Sequence, residues 1–317
     1  GGTQDNGTIR FDGTDVWDMI RSGDGRYCEI DPLDSDVLYS QHQYLASTAK
    51  AANGSADPPK WYAAPGLPSE EQYRGDPYLF IHPTDSDLIL ASGAKIFAHN
   101  SASSDWTLCP GCPSWSDMGP AAASGEVHRV TIDPTTNRFY AGLTNGQLWV
   151  LESGSWAKVF THPTGAGVNG IAIDPEDSNR IYLAIAGWGK IHGPHRVWMI
   201  ERIVSDSSDQ QDLVYWKSTN ITGNLPLSLA LGTGWRHSDM IVAHPGEADT
   251  VFVDTTQGVY RGRGHQTEGG WVWLWDAYNC QLPWAVVTDL EIHPLSGYLF
   301  GATYGRGLWA TPLVAPD

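Results

Sequence analysis

Short apolar runs alternate with polar turns along the chain, a pattern that indicates β-strands joined by tight turns. A typical unit begins with a short apolar strand, as at Val130–Ile132 and Ile171–Ile173. A polar turn with Asp-Pro or His-Pro follows, and then an aromatic and β-branched strand, as at Arg138–Ala141 and Arg180–Ala184. Because proline lacks an N–H donor, it belongs just past a strand and not inside one.

Two further strands complete the unit. A third strand follows a glycine-containing turn, as in LTNGQLWV, where Asn145-Gly146 supplies the positive φ of a tight hairpin. A fourth strand led by tryptophan closes several units, as in SWAKVF and WVWLW. Each unit is therefore predicted to be a small antiparallel sheet of four strands.

The unit recurs along the whole chain, and the proline of its first turn marks each copy. These prolines are Pro32, Pro83, Pro134, Pro175, Pro245 and Pro294. The steps between them are 51, 51, 41, 70 and 49 residues, close to the roughly 40 to 50 residues of a propeller blade. Because such a sheet cannot bury both faces alone, radial stacking is expected. We therefore predict an all-β fold, a single β-propeller domain over residues 1–317 with four-stranded antiparallel blades.

The blade repeats are predicted to start near residues 27, 77, 127, 168, 238 and 287. The N-terminal GGTQDNGTIRF resembles the second and third strands of a blade, and VWDMI resembles a fourth. Residues 1–22 are therefore expected to contribute to ring closure together with the C-terminal strands. This arrangement gives seven blades, with six as the alternative. The tryptophans of the fourth strands are expected to pack between blades and not to stack on ligands.

Composition narrows the possible partners. The 317 residues include 19 Lys and Arg against 36 Asp and Glu, a net charge of −17, which argues against nucleic acid or an anionic membrane. No apolar run reaches the roughly 18 residues of a membrane span. Asn6, Asn53 and Asn220 each open an N-x-S/T sequon, and the low charged fraction of 17% also favours a secreted protein. We expect a monomer.

The four cysteines permit three disulfide pairings. Cys109 and Cys112 flank a Pro-Gly turn, so a local disulfide is expected there. Cys28 and Cys280 are isolated in the sequence. They could link the ring near its seam, or they could be buried thiols.

Most histidines that stand out have a structural interpretation. His82, His244 and His293 occupy the turn position that Asp31, Asp133 and Asp174 occupy in other copies. A repeated hydrogen bond within the turn explains them better than a metal site does.

Neither a metal nor a cofactor is predicted. His192 and His195 are weak metal candidates, because they flank a Gly-Pro turn without a third ligand nearby. Asp5-Asn6-Gly7 and Asp24-Gly25 are interpreted as turns. A structural calcium ion or a catalytic role there remains an open alternative.

Three long loops are expected on the face that carries the turns between second and third strands. Long loops on a rigid scaffold are where binding and catalysis concentrate. These loops place aromatic residues beside charged ones, and aromatic rings can stack on sugar faces while charged groups bind hydroxyls. The candidate substrate-binding residues are Trp115, Trp188, Trp235, Arg236, His237, Tyr73 and Arg74.

Several segments together resemble a known family, namely GGTQDNGT, SGDGRYCEIDPLDSDVLY, TNITGNLP, TTQGVYRG and TYGRGLW. They are similar to BNR or Asp-box-like propellers, which include sortilin-type ectodomains and the family 74 xyloglucanases. The resemblance covers nearly the whole chain. It implies catalytic carboxylates at Asp24 and, in GWRHSD, at Asp239, one acting as acid and one as base or nucleophile. Family 74 enzymes use a cleft between two propellers, whereas this sequence predicts one.

Three function classes follow. The first is a secreted protein that acts on a polysaccharide or oligosaccharide, such as a glycoside hydrolase with Asp24 and Asp239 as acid and base candidates. The second is a non-catalytic module that binds a glycan or peptide, such as a lectin, receptor-like ectodomain or assembly factor. The third is a metal-dependent oxidoreductase, which rests only on the abundance of His and Trp.

Overall fold

The computed structural model describes residues 1–3, 5–14, 16–42, 47–64, 67, 78–92, 96–100, 116–117, 119–120, 124–185, 195–205, 213–226, 241–279, 281–293 and 295–313. These residues form 26 β-strands and no α-helix, which confirms the all-β prediction. The chain divides into two compact units, Gly1–Pro134 and Thr135–Asp317. No helix in the described part of the chain has the length and hydropathy to cross a bilayer.

Unit 1 contains three antiparallel sheets and a final strand. The first sheet is β1 (Gly2–Thr3), β2 (Gly7–Phe11) and β3 (Trp17–Arg21). The second is β4 (Cys28–Ile30), β5 (Leu38–Ser40), β6 (Ala49–Ala51) and β7 (Trp61–Ala63). The third is β8 (Tyr78–His82), β9 (Asp85–Ser92), β10 (Ile96–Asn100) and β11 (Ser116–Asp117). The last strand, β12 (Val127–Asp133), lies beside β8 and β9.

Unit 2 contains four sheets in which consecutive strands pair antiparallel. They begin with β13 (Arg138–Leu143), β14 (Gln147–Glu152) and β15 (Ser155–Thr161). The next is β16 (Val168–Ile173), β17 (Arg180–Ile185), β18 (Val197–Ser205) and β19 (Leu213–Asn220). Then come β20 (Ile241–Ala243), β21 (Thr250–Thr255), β22 (Gly258–Thr267) and β23 (Gly270–Ala277). The last is β24 (Val287–His293), β25 (Tyr298–Thr303) and β26 (Gly307–Pro312).

The described strands thus form seven antiparallel sheets, which is consistent with seven blades. The first strands of the repeated units begin at Cys28, Tyr78, Val127, Val168, Ile241 and Val287. That residues 1–317 form one domain and that the terminal strands close the ring stay predictions.

The core of unit 2 lies between neighbouring sheets. Tyr182 and Met199 of one sheet pack with Val251 and the fourth-strand residues Trp273 and Trp275 of the next. Each of these two tryptophans is only 5% exposed. The predicted packing role of fourth-strand tryptophans is therefore confirmed in this sheet, where a large ring fills the space between two sheets.

The turns after the first strands contain the predicted hydrogen bonds. In each of them a side-chain atom accepts a backbone N–H from two or three residues ahead, as in an Asx turn. The pairs are Asp31 with Leu33 (2.9 Å), Asp174 with Glu176 (2.9 Å), His82 with Thr84 (3.2 Å), His244 with Gly246 (3.1 Å) and His293 with Ser296 (3.1 Å). The structural interpretation of the three histidines is thereby confirmed.

The turn between β13 and β14 also agrees with its prediction. Gly146 has the expected positive φ, at 80°. Its N–H donates to the carbonyl oxygen of Leu143 at 3.1 Å.

Candidate functional site

Asp24 lies in unit 1, in the turn between β3 and β4. Its Oδ1 atom accepts a hydrogen bond from the backbone N–H of Asp5 at 2.9 Å. The neighbouring Gly25 donates its N–H to the carbonyl oxygen of Thr3 at 3.0 Å. These two hydrogen bonds join this turn to β1 and to the turn that follows it. The Asp24 side chain is half-buried.

Two glycines beside Asp24 allow this close packing. Gly23 has a φ of 112°, and a Cβ atom there would lie 2.9 Å from Nδ1 of His42. A Cβ atom on Gly25 would collide with the carbonyl oxygen of Gly7. Only glycine lets the backbone approach this closely, so the SGDG sequence brings Asp24 next to the histidine.

His42 follows β5 and lies against the Asp24 turn. Its backbone N–H donates to Ser47 Oγ at 2.9 Å. Its Nε2 atom is buried and has no hydrogen-bond partner within the described part of the chain. Burial lowers the pKa of His42 below its ordinary value, the charge of Arg21 lowers it further, and the charge of Asp24 raises it. The lowered pKa favours the neutral form of the His42 imidazole.

Arg21 is the last residue of β3 and provides the positive charge. Its Nη1 atom donates to the carbonyl oxygen of Ser40 at 2.8 Å, and its Nη2 atom donates to that of Ser47 at 2.7 Å. The guanidinium carbon lies 5.5 Å from the ring centre of Trp61. We refer to Arg21, Asp24 and His42 as the Asp24 site.

The Asp24 site combines three chemical groups in one unit. A carboxylate can transfer a proton or act as a nucleophile, and a neutral imidazole can accept a proton. The guanidinium is anchored by two carbonyl oxygens, so the position of its charge relative to His42 is fixed.

The sequence identified one member of this site and missed two. Asp24 was predicted from the family resemblance, whereas Arg21 and His42 were not predicted. A signal for His42 does exist, because it lies in the long loop SQHQYLASTAKAANGSADPPK and, unlike the turn histidines, is not followed by proline.

Most of the other predicted site residues lie outside the residues that the structure describes. They are Asp239, Trp115, Trp188, Trp235, Arg236, His237, Tyr73, Arg74 and His192. Their roles, and the distance from Asp24 to Asp239, stay predictions.

His195 is described, and it belongs to a packed cluster in unit 2. Its ring stacks on Trp198 with a centroid distance of 6.0 Å. Its Nδ1 atom lies 2.8 Å from Asn220 Nδ2, and its carbonyl oxygen lies 2.8 Å from Nε2 of the buried His162. Because Nδ1 accepts the amide N–H, that nitrogen is already used within the fold. In the described ranges no group of three His, Cys, Asp or Glu residues could hold a metal ion.

Cys28 is a free thiol in β4. Its Sγ atom lies 3.7 Å from the carbonyl oxygen of Arg26. This favours the thiol alternative over a link to Cys280. Cys280 and the predicted pair Cys109 and Cys112 lie outside the described residues.

A second charged cluster lies in unit 2 around Arg180. Its Nη1 atom is 2.5 Å from Asp249 Oδ1 and 3.7 Å from Asp174 Oδ2. The hydroxyl of Tyr182 donates to Asp174 Oδ2 at 2.6 Å, and the guanidinium lies 4.9 Å from the ring centre of Trp271. Both carboxylates come from turns after first strands, so we interpret this Arg180 cluster as structural.

Known structures resemble the chain in fold. One is the GH74 xyloglucanase from Xanthomonas campestris, with a TM-score of 0.54 and 16% identity over 91% of this chain and 45% of that one. Another is the Cps50 (Swd1) β-propeller domain of Myceliophteria thermophila, with a TM-score of 0.55 and 10% identity over 92% and 83% of the two chains. This chain thus spans less than half the length of the xyloglucanase. No protein-family model and no curated protein matches the sequence.

At these identities the likeness establishes the fold and nothing finer. The specific resemblance to BNR or Asp-box repeats stays a prediction. The antiparallel sheets and the structural likeness together identify the fold of this chain as a β-propeller.

Proposed function

We propose that this β-propeller acts outside the cell on a polysaccharide or oligosaccharide, as a glycoside hydrolase-like protein that uses the Asp24 site. The observation that carries the proposal is the geometry of Asp24. A half-buried carboxylate is held by a backbone N–H in a glycine-flanked turn that packs against the ring of His42, and the charges of Asp24 and Arg21 both act on that ring. Ionisable groups kept in unusual environments are typical of functional sites.

Glycoside cleavage requires two carboxyl groups, one on each side of the scissile bond. In this proposal Asp24 is one of them and Asp239 is the other, and their separation must be about 5 to 10 Å. One donates a proton to the leaving oxygen, and the other activates water or attacks the sugar. His42 acts as a positioning residue, because its ring packs against the backbone that carries Asp24.

Substrate binding is assigned to the loop residues with suitable chemistry. Aromatic rings bury sugar faces, and charged side chains form hydrogen bonds with hydroxyl groups. The proposed binding residues are Trp115, Trp188, Trp235, Arg236, His237, Tyr73 and Arg74. The xyloglucanase among the similar structures makes xyloglucan the first substrate to test.

The test measures release of reducing ends from xyloglucan and from a panel of other plant and microbial polysaccharides. Asp24→Asn and Asp239→Asn should each reduce product release about 10²- to 10⁴-fold, as expected when a group that transfers a proton is lost. The matched control is Asp12→Asn, which changes an exposed aspartate of the same unit that bonds only to nearby Thr14. This control should retain full activity.

Unchanged product release by Asp24→Asn would contradict the proposed role of the Asp24 site. Saturable binding to a polysaccharide without any product from the unmodified protein would favour the non-catalytic binding module instead. If the protein neither binds any polysaccharide nor releases product from one, the carbohydrate proposal itself is overturned.

A further inference from the structure

Two third strands in unit 2 carry the same dipeptide in different surroundings. Leu148-Trp149 are the second and third residues of β14, and Leu308-Trp309 are the second and third residues of β26. Leu148 and Trp149 are 0% and 9% exposed, whereas Leu308 and Trp309 are 48% and 37% exposed. The dipeptide and its place in the strand are the same, so we attribute the difference in exposure to what lies alongside each strand.

A fourth strand covers β14. Strand β15 pairs with it antiparallel, with Phe160 opposite Leu148 and Ala157 opposite Val150. Phe160 is buried and packs in the same core cluster as Leu148 and Val150. In the same unit β19 covers β18, and β23 covers β22. Among the described strands, β26 pairs only with β25.

The open edge of β26 also lacks the usual protection by charge. The fourth strands that form sheet edges in this unit carry Lys158, Lys217 and Asp276. Charged residues on edge strands hinder pairing with other chains. The segment Gly307–Pro312 carries no charge, and the exposed Arg306 directly precedes it. An uncharged apolar edge of this kind is a template for an added strand.

We propose that β26 binds an extended strand of a partner polypeptide, which adds to the sheet antiparallel as β15 adds to β14. The partner segment is uncharged, with aromatic and β-branched residues that cover Leu308 and Trp309. The C-terminal end of an antiparallel partner lies beside the start of β26, as Thr161 lies beside Gln147. An acidic residue just past that end meets Arg306. A second copy of this chain fits less well, because two chains of net charge −17 repel each other.

The probe is a fluorescent, N-acetylated peptide based on residues 154–162 with Lys158 and His162 replaced by threonine, GSWATVFTT, made with and without two added C-terminal aspartates. Fluorescence anisotropy with the 317-residue protein should show saturable binding, tighter for the aspartate form. Arg306→Glu should abolish the advantage of the aspartates. Hydrogen exchange should slow at residues 307–312 when the peptide is bound.

Two matched variants locate the binding edge. Ala310→Lys places a charge on an exposed alanine of β26, and Ala157→Lys does the same on the exposed edge strand β15. Ala310→Lys should weaken peptide binding at least about tenfold, and Ala157→Lys should leave it unchanged. A peptide with alternate backbone nitrogens methylated cannot complete the pairing and should not bind.

Three results would overturn the proposal. They are the absence of binding up to millimolar peptide, equal weakening by both lysine variants, and exchange protection outside β25 and β26. Sedimentation that finds a dimer of the protein, lost in Ala310→Lys, would assign the edge to a second copy. None of these outcomes depends on activity toward glycans, so they are separate from the test of the Asp24 site.

Discussion

The Asp24 site and the Arg180 cluster are both groups of charged residues, yet they are held in opposite ways. In the Arg180 cluster a guanidinium pairs with several carboxylates, and two of them, Asp174 and Asp249, also accept a hydrogen bond from the hydroxyl of Tyr182. In the Asp24 site a backbone N–H holds the carboxylate, and burial lowers the pKa of the neighbouring imidazole.

This difference helps to distinguish charged residues that stabilise the fold from charged residues that could take part in a reaction. A partly buried cluster in which ion pairs and hydrogen bonds join several strands and turns supports the fold, and removal of a buried member takes away several of these interactions at once. In the Asp24 site a backbone N–H from a neighbouring turn holds the carboxylate in position. We therefore expect substitutions in the Arg180 cluster mainly to lower the free energy of unfolding, and substitutions at the Asp24 site mainly to lower product release.

The largest effect should come from Asp174→Ala in the Arg180 cluster. Asp174 is buried, with its side chain 1% exposed. The change removes the closer acceptor of the Tyr182 hydroxyl, two turn hydrogen bonds and one of the carboxylates that face Arg180. We expect the free energy of unfolding to fall by about 3 kcal/mol in urea titrations.

Asp177→Ala is the control for this prediction. Asp177 also pairs with Arg180, at 3.5 Å, but its side chain is 41% exposed. An exposed ion pair contributes less than about 1 kcal/mol. Equal losses of stability in the two variants would show that the Arg180 cluster is not the compensated buried network that we describe.

The next largest effect should come from Gly23→Ala beside Asp24. The new methyl group would meet both the unfavourable φ of 112° and the ring of His42. The strain of a non-glycine residue at such a φ costs roughly 1 to 2 kcal/mol, and displacement of His42 adds to it. Product release per folded molecule should also fall, because Asp24 moves with the turn.

Gly13→Ala separates the two causes. Gly13 has a similar φ of 95°, but no atom lies within 4 Å of the position of its Cβ. Gly13→Ala should therefore lose only the stability that the unfavourable φ costs, and its product release should be unchanged. If both variants lose the same stability and keep the same activity, the contact between Gly23 and His42 has no role in positioning Asp24.

The sequence predicted the repeated strands because their pattern is local. The predicted Ile171–Ile173 lies inside β16, and the predicted Arg138–Ala141 lies inside β13. Turn chemistry was local as well, since an Asp or His before proline bonds to a backbone N–H two or three residues ahead. Such features can be read from a few neighbouring residues.

Features set by strand pairing could not be read in this way. His42 reaches Asp24 because β4 and β5 pair and Arg26 donates to the carbonyl oxygen of Gln41 at 2.8 Å. The exposure of Leu308 likewise depends on the absence of a fourth strand among the described residues of that sheet. The Leu-Trp sequence cannot predict this exposure, because the same dipeptide is buried in β14. Pairing partners and register are long-range properties.

The smallest effect is a shift in the titration of His42, which NMR of its ring carbons can follow. Because burial lowers the pKa of His42, the ring should titrate below its ordinary value of about 6.5. The folded state then binds fewer protons than the unfolded state. The contribution of His42 to stability is therefore present above about pH 6.5 and is lost as the pH falls through the folded pKa.

Asp24→Asn sharpens this measurement, because the negative charge of Asp24 raises the pKa of His42. Its removal should lower that pKa further, while Asp12→Asn, which changes an exposed carboxylate elsewhere in unit 1, should leave it unchanged. A pKa of His42 that does not respond to Asp24→Asn would mean that the two side chains do not share one site. The lowered pKa of His42 would then be a feature of the loop after β5 alone, and His42 would have no part in the proposed role of Asp24.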